Sequence, residues 1–307
     1  MSIQVEDLSR VLLCAALLLP ACGGEEGPGE SEPTLTTTWH DQEADIKQSE
    51  GDLVYGRKVG DWTWWHPNGQ VAVRGSFLIL ERDGTSVSEE VGQWDEWHPN
   101  GQKKSERSWV EGRAEGVVKE WHDNGKLSKE AVYKNGRAEG ESTTYFPSGE
   151  VSNKSLYSGG RLNGAFTSYW GTGEEKVSGQ WDDGAQVGLW RAWHPNGQLR
   201  SEEGFEAGVL SGTVKTWFAS GSKEGEAVWS SGEVVSGKQW YESGGLREAG
   251  ASRDGLLEAW YEGGGVKMRG ELSGGVRTGP WEFFLENGAP DNEMTGHYKA
   301  GARTGPL

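Results

Sequence analysis

The chain is short of cysteine, of long apolar runs and of positive charge. Its 307 residues include two cysteines, Cys14 and Cys22, so no disulfide framework can hold residues 23–307 together. The longest apolar run, residues 11–19, is shorter than the roughly 20 residues that a membrane-spanning helix needs. The net charge of −17 argues against binding a nucleic-acid backbone or adhering to anionic lipid, because both require a basic surface.

Glycine and tryptophan, in contrast, are abundant, with 49 and 17 copies. Asn-Gly or a close variant recurs along the chain at an interval that is most often 24 residues. The glycines of these pairs are Gly69, Gly101, Gly125, Gly149, Gly173, Gly197, Gly221, Gly244, Gly264 and Gly288. A fixed period of this size indicates one small unit copied about ten times. Because Asn and Gly both accept the positive φ of tight turns, each unit is predicted to be a β-hairpin, with a looser turn at Ala207-Gly208 and its equivalents.

Aromatic residues occupy two columns of this repeat. The first column lies five residues after the repeat-opening glycine, except in the shortened copy, where Trp240 takes this place. Its members are Trp65, Trp97, Trp121, Tyr145, Tyr169, Trp193, Trp217, Trp240, Trp260 and Phe284. The second lies eight residues after each Asn-Gly and runs from Phe77 and Trp109 to Trp229. Stacked at inter-strand spacing, such columns are expected to form aromatic ladders on one face, the core of a sheet without helices. A ladder that stacks sugars or bases is the alternative.

The repeat resembles the MORN repeat family, particularly its bacterial variant. The resemblance lies in the core G-x-W-x-x-W/Y-x-x-N-G, as in residues 92–101, followed by an aromatic-x-x-Gly, as in residues 133–136, and it covers roughly residues 53–305. It implies an all-β fold in which about ten hairpins lie side by side in one elongated, twisted antiparallel sheet. The repeat array is therefore expected at residues 53–307.

The N-terminal segment resembles a bacterial lipoprotein signal peptide. An apolar run ends in Leu19-Pro20-Ala21-Cys22, which is similar to a lipobox. This resemblance implies cleavage of residues 1–21, lipidation of Cys22 and, with Gly23 next, an outer-membrane location. Residues 22–52 are acidic and poor in apolar side chains, which predicts a disordered tether.

One interval breaks the period. The stretch from Gly69 to Gly101 is eight residues longer than the others, with four residues added before Gly84 and four after it. This predicts one hairpin with two longer arms and a tip at Asp83-Gly84. Its apolar segment, Phe77, Leu78, Ile79 and Leu80, is interpreted as a cap on the N-terminal end of the array or as a docking site for a partner.

Groups that could perform chemistry all fall on the period. His66, His98, His122 and His194 share one column, but members in adjacent repeats, such as His98 and His122, are about 9.6 Å apart, too far to share a zinc ion. Other repeats place Phe146, Trp170 or Tyr241 there, which predicts a stacking role. Residues 232–239 nearly match a phosphate-binding loop but end in Gln239 instead of Ser or Thr.

No catalytic grouping, metal or cofactor is therefore predicted. The leading hypothesis is a non-enzymatic, lipid-anchored protein of the cell envelope that binds an unknown protein partner and no nucleic acid. A glycan-binding protein of the cell wall and an antitoxin-type component of a toxin–antitoxin system are the alternatives.

Overall fold

The computed structural model describes residues 32–307 as one open antiparallel sheet of 24 strands. In this part of the chain 68% of the residues are in strands and none are in helices, so no described helix could cross a membrane. The strands are β1 (Thr34–Asp41), β2 (Ile46–Val54), β3 (Arg57–Trp65), β4 (Val71–Arg82), β5 (Thr85–Trp97), β6 (Lys103–Val110), β7 (Arg113–Trp121), β8 (Leu127–Lys134), β9 (Arg137–Tyr145), β10 (Val151–Ser158), β11 (Arg161–Tyr169), β12 (Glu175–Asp182), β13 (Ala185–Trp193), β14 (Leu199–Glu206), β15 (Val209–Leu210), β16 (Gly212–Trp217), β17 (Lys223–Ser230), β18 (Glu233–Trp240), β19 (Leu246–Ala251), β20 (Gly255–Trp260), β21 (Val266–Ser273), β22 (Val276–Phe283), β23 (Gly296–Lys299) and β24 (Ala302–Gly305). The predicted all-β hairpin array is confirmed.

Apart from the short β15, each strand pairs with the next one along the chain, so the sheet is a simple meander. The pairing starts at β1 with β2 and proceeds without a crossover to β23 with β24. The short β15 and the following β16 both pair with β14, and Ser211 separates them. Because neighbouring strands are about 4.8 Å apart, one two-strand repeat advances the sheet by about 9.6 Å.

The two long edges of the sheet carry different turns. At the Asn-Gly edge, defined by the turns that contain Gly69 and its equivalents, only the glycine has a positive φ, 80° at Gly69. At the opposite edge, which we call the two-residue edge, both turn residues are left-handed, as at Ala207 (φ 49°) and Gly208 (φ 82°). The tight primed hairpin turns therefore lie at the edge that was expected to hold the looser turns. The asparagines at the Asn-Gly edge are not needed for a positive φ, and they make hydrogen bonds instead.

The sheet begins earlier than expected. Residues 22–52 are predicted to be a disordered tether, yet β1 and β2 occupy residues 34–54 and pair with each other and with β3. Trp39-His40 repeats the pair Trp65-His66, and the His40 imidazole Nε2 lies 2.9 Å from the Trp65 carbonyl. This hairpin is a further copy whose Asn-Gly was replaced by residues 42–45. The predicted signal peptide, residues 1–21, and Cys22 lie outside the described residues.

Alternation along the strands gives the sheet two dissimilar faces. The tryptophan–glycine face carries four tryptophans, each packed against a glycine of the preceding strand. The pairs are Trp62 on Gly51, Trp94 on Gly75, Trp190 on Gly179 and Trp281 on Gly270. A Cβ atom on any of these glycines would lie within 2.1–2.3 Å of the indole, so the ring requires a glycine beneath it.

Three aromatic clusters form the core along the tryptophan–glycine face. They contain Trp62, Trp64, Phe77 and Trp94; Phe166, Trp181, Trp190 and Phe205; and Trp281, Phe283 and Tyr298. A cation covers each of the outer two clusters. Lys58 Nζ lies 4.7 Å from the Trp64 ring centroid, and Arg277 Cζ lies 4.9 Å from that of Phe283. In a sheet one layer thick, these clusters replace the core that a second layer would provide.

Candidate binding surfaces

The first aromatic column lies on the opposite face, which we call the ladder face. Trp65 points away from Trp64 and Trp62, whereas the second column, including Phe77, packs with those two rings. The expectation that both columns form ladders on one face is therefore wrong. Each member of the first column is the last residue of its strand or follows it directly, and the members are Trp65, Trp97, Trp121, Tyr145, Tyr169, Trp193, Trp217, Trp240, Trp260 and Phe284.

Cations rather than neighbouring rings contact half of the members of this column. Within residues 32–307 no ring pair joins two of its members, because successive members are two strands apart, about 9.6 Å. The strand between them supplies the cation. Arg74 on β4 lies 5.7 Å from the Trp97 ring, and Lys103 on β6 lies 5.6 Å from the Trp121 ring. A cation lies over the ring in this way at five of the ten members, Trp65, Trp97, Trp121, Trp240 and Phe284. The alternative of a ladder that stacks sugars or bases stays a prediction.

The histidine column bonds to the backbone. The Nε2 atoms of His66 and His98 lie 2.9 Å from the carbonyl oxygens of Trp97 and Trp121, the ladder residues one repeat further on. Tyr241 donates the equivalent hydrogen bond from its hydroxyl to the Trp260 carbonyl at 3.0 Å. The predicted stacking role therefore missed a second feature of this column. A polar atom at the edge of the ring makes a hydrogen bond that connects consecutive repeats.

The turn asparagines also connect consecutive repeats. Asn124 accepts a hydrogen bond from the Lys126 amide within its own turn and donates one from Nδ2 to the Pro147 carbonyl, at 2.7 Å, in the next turn. Asn68, Asn100 and Asn196 make the same pair of bonds. At the other edge, turn amides such as that of Gly136 donate to a carbonyl of the previous repeat. Hydrogen bonds at both edges therefore fix the distance between consecutive turns to one repeat.

The long hairpin forms as the spacing predicts, with Arg82 paired to Thr85 around the tip. Its proposed docking residues differ in environment. Phe77 lies in the first aromatic cluster, Ile79 and Leu80 are half-buried, and the side chain of Leu78 is 49% exposed.

Contacts on both sides hold the tip of this hairpin against the body of the sheet. Arg57 donates from Nε to the Ser86 carbonyl at 2.8 Å, and Ser88 donates to the Lys58 carbonyl. On the other arm, Arg82 donates to the Glu111 carbonyl at 3.1 Å. The hairpin lies inside the sheet, between β3 and β6, so the interpretation as a cap on the end of the array is wrong. The docking interpretation stays a prediction.

A hollow of about 560 Å³ lies on the tryptophan–glycine face between Tyr133 of β8 and Tyr157 of β10. Its floor consists of the buried residues Ala131 and Ser142, and Lys129, Arg137 and Arg161 line its sides. The aromatic columns gave no indication of it. One residue of the sequence does indicate the hollow, because Ser142 occupies the repeat position that holds Trp94 and Trp190 elsewhere.

A second hollow of about 600 Å³ lies between β16 and β20, where Val214 and Gly237 occupy the tryptophan position. Its lining mixes Glu226 and Glu248 with Lys238 and Arg247. Residues 232–239 are a turn glycine and most of β18, so they form a strand of this hairpin and not a loop before a helix, unlike a phosphate-binding loop.

Exposed aliphatic side chains line the half of the ladder face near the two-residue edge. Their exposed fractions range from 38% to 47%, and the residues are Val117, Val132, Leu156, Leu189 and Val228. They form the aliphatic row. No group of three or more His, Cys, Asp or Glu side chains within residues 32–307 could hold a metal ion.

Comparison with known proteins supports the repeat assignment. The model of the MORN repeat variant matches residues 58–78, 114–135 and 186–207. The second and third matches each correspond to one hairpin around an Asn-Gly turn, β7–β8 and β13–β14. The resemblance to MORN repeats is thus confirmed at three places in the chain. Such repeats are typical of proteins with a binding or scaffold role and of folds without catalysis.

Other comparisons add little to this result. No curated protein matches the chain. A solved structure titled "Crystal Structure of TcdB2-TccC3" aligns with 88% of this chain and 18% of its own, at 11% identity. Its TM-score of 0.20 is too low to support a statement about fold or function.

Proposed function

We propose that this chain is a lipid-anchored, non-enzymatic scaffold of the cell envelope that binds a protein partner along its ladder face. The aliphatic row is the observation that supports a protein partner. Val132, Leu156 and Val228 lie seven residues after the glycine of an Asn-Gly-type turn. Val117 and Leu189 lie one residue after a repeat-opening glycine, opposite that same position on the paired strand. The half-exposed apolar side chains therefore fall in one band along the sheet, and Gln180 and Gly204 occupy the position in the two repeats between Leu156 and Val228. Aligned exposed apolar side chains are typical of protein-interaction surfaces.

Substitutions within the row test the binding function. A photo-reactive amino acid at Gln180, an exposed position beside the row, would cross-link the partner in intact cells. We expect the cross-link to disappear when Val132→Glu and Leu156→Glu are introduced together. Leu285→Glu is the matched control, because Leu285 is 47% exposed but lies in a turn at the Asn-Gly edge. A cross-link that survives the double substitution would refute binding through this row.

The predicted lipid anchor requires a separate test, since Cys22 is its sole acceptor in the proposal. Cys22→Ser is expected to move the protein from the membrane fraction to the soluble fraction of the cell. Recovery of this variant with the membranes would refute the anchor without affecting the binding function. Labelling with a clickable palmitate analogue gives a direct chemical readout of the same step.

A further inference from the structure

The hollow between Tyr133 and Tyr157 results from a missing ring. On this face, β13 places Trp190 in contact with Trp181 of β12 and Phe205 of β14. At the same repeat position β9 places Ser142 between the two tyrosines, and the glycine beneath the indole becomes Ala131. The sheet therefore keeps both walls of an aromatic cluster but lacks its middle ring. The space is open to solvent and has the volume of a small-molecule site.

The charge of the hollow differs from that of the whole protein. The chain has a net charge of −17, yet the charged residues that line the hollow are Lys129, Arg137 and Arg161. Arg161 is paired with Asp183 at 2.6 Å. Lys129 Nζ contacts the Tyr133 hydroxyl at 3.3 Å, and neither Lys129 nor Arg137 forms an ion pair among residues 32–307. Two cations without a carboxylate partner favour an anionic ligand.

The backbone does not provide a phosphate cradle here. The turn amides of Asn135 and Gly159 already donate to the carboxylates of Glu115 and Glu139, each at 2.8 Å. The amides of Gly136 and Gly160 donate to carbonyls of the neighbouring repeat. Recognition must therefore come from side chains, and an arginine fork between aromatic walls and above a serine suits a ring that carries hydroxyls and a carboxylate.

We propose that this hollow binds an acidic saccharide, with a uronic-acid ring held between Tyr133 and Tyr157 and its carboxylate bound by Arg137. Lys129 contributes a second positive charge, and the Ser142 hydroxyl faces the ring from the floor. The polar floor favours a sugar over the indole or phenyl ring of an acidic peptide. This site goes beyond the proposed scaffold function and does not depend on the lipid anchor or on the aliphatic row.

Calorimetric titration of the full chain carrying Cys22→Ser tests the proposal directly. The probes are tetragalacturonate, its fully methyl-esterified form, inorganic phosphate and a peptide of alternating glutamate and tryptophan. We expect tetragalacturonate to bind and its neutral ester to bind at least tenfold more weakly. Phosphate and the peptide are expected to compete poorly with tetragalacturonate.

Three variants locate the binding at the hollow. Arg137→Gln is expected to weaken tetragalacturonate binding about tenfold or more, because a charged hydrogen bond is lost. Arg200→Gln, which removes an exposed arginine of β14 outside the hollow, is the matched control and should bind normally. The double variant Ala131→Gly with Ser142→Trp rebuilds the Trp–Gly pair found at four other places in the sheet. It should fold, fill the hollow and lose binding at least tenfold.

The proposal is overturned if tetragalacturonate does not bind, or if its methyl ester binds equally well. Equal losses in Arg137→Gln and Arg200→Gln would show a diffuse charge effect and would also refute it. A rebuilt Trp–Gly variant that is folded, as judged by circular dichroism, but still binds would place the ligand elsewhere. Tighter binding of the peptide or of phosphate would assign the hollow to that other ligand class.

Discussion

Replacing Gly179 with alanine is expected to destabilise the middle of the sheet strongly. The new Cβ would lie 2.2 Å from Cδ2 of Trp190, whereas non-bonded carbon atoms rest about 3.5–4.0 Å apart. The indole would have to move by about 1.3 Å or more. It is 5% exposed and its centroid is 5.2 Å from that of Trp181, so it has little room to do so. Overpacking of this kind costs about 3 kcal/mol at the upper end of its usual range.

A control and a rescue separate this clash from other effects of alanine. Gly171→Ala is the matched control, because its φ is not left-handed and nothing lies within 4 Å of its Cβ, so we expect stability to change by less than about 1 kcal/mol. In a Trp190→Ser background, Gly179→Ala would reproduce the natural pair of Ala131 and Ser142. There the substitution should cost less than about 0.5 kcal/mol, which gives a coupling energy of about 2–3 kcal/mol.

Urea denaturation followed by circular dichroism measures the global effect of these substitutions. Native-state hydrogen exchange of the amides in β12 and β13 measures the local one, since repeat arrays open in parts. The reasoning is wrong if Gly179→Ala costs no more than Gly171→Ala. It is equally wrong if the cost is the same with and without the indole of Trp190, because the clash would then not be its cause.

Three further predictions concern the bonds between repeats and the long hairpin. Asn124→Ala should cost about 1–2 kcal/mol in urea denaturation, because it removes a turn bond and a bond to the next repeat. His98→Phe should lower the free energy of unfolding by about 1 kcal/mol, because the hydrogen bond to the Trp121 carbonyl is lost. His98→Tyr should lose much less, because a tyrosine, Tyr241, already makes the equivalent carbonyl bond elsewhere in this sheet. The hydrogen bond from Arg82 lowers the pKa of the Glu89 carboxyl below its ordinary value of 4.5. A lowered carboxylate pKa stabilises the fold above that ordinary value, and the stabilisation is lost as the pH falls through the lowered one. The protection factors of amides at the β4–β5 tip, which correct for the slower intrinsic exchange in acid, should therefore fall below about pH 4.5, and Glu89→Gln should reduce this dependence.

Each of these predictions has a result that would contradict it. Asn287 accepts a hydrogen bond from the Ala289 amide of its own turn and, within residues 32–307, donates none to a following turn, so Asn287→Ala is the matched control for Asn124→Ala. Equal losses in the two variants would mean that the bond between repeats contributes nothing. Equal stability of His98→Tyr and His98→Phe would remove the carbonyl bond as the reason for this column. An acid response that is unchanged in Glu89→Gln would assign it to another carboxylate.

The period and the hairpin topology could be predicted from the sequence because their determinants are local. Glycine at a turn and alternation along a strand need no knowledge of distant residues, and the long hairpin followed from the count of residues on each side of Gly84. The first hairpin was missed because its turn lacks Asn-Gly, although Trp39-His40 and Gly51 carry the rest of the unit.

The division between the faces could not be predicted in the same way. A register shift between Trp64 and Trp65, repeated in most copies, decides what each side chain near the Asn-Gly edge contacts, and such shifts depend on the pairing of two strands. The tryptophan position was hidden because it varies from Trp62 to Val118 to Ser142 and so forms no aromatic column. That variation creates the hollow, and its effect becomes clear once each residue has been placed opposite its glycine or alanine.

Because hydrogen bonds connect consecutive repeats at both edges, the sheet can be lengthened or shortened by whole repeats. A turn asparagine at one edge and a turn amide at the other find their acceptors one repeat away, whichever repeat that is. Removing or adding 24 residues in frame therefore changes the length of the sheet by about 9.6 Å and leaves every remaining bond with a partner. Sites on the sheet, such as the hollow between Tyr133 and Tyr157 and the long hairpin, can thus be moved apart or together in fixed steps. The distance between two such sites along the sheet therefore changes only in steps of one repeat, about 9.6 Å each.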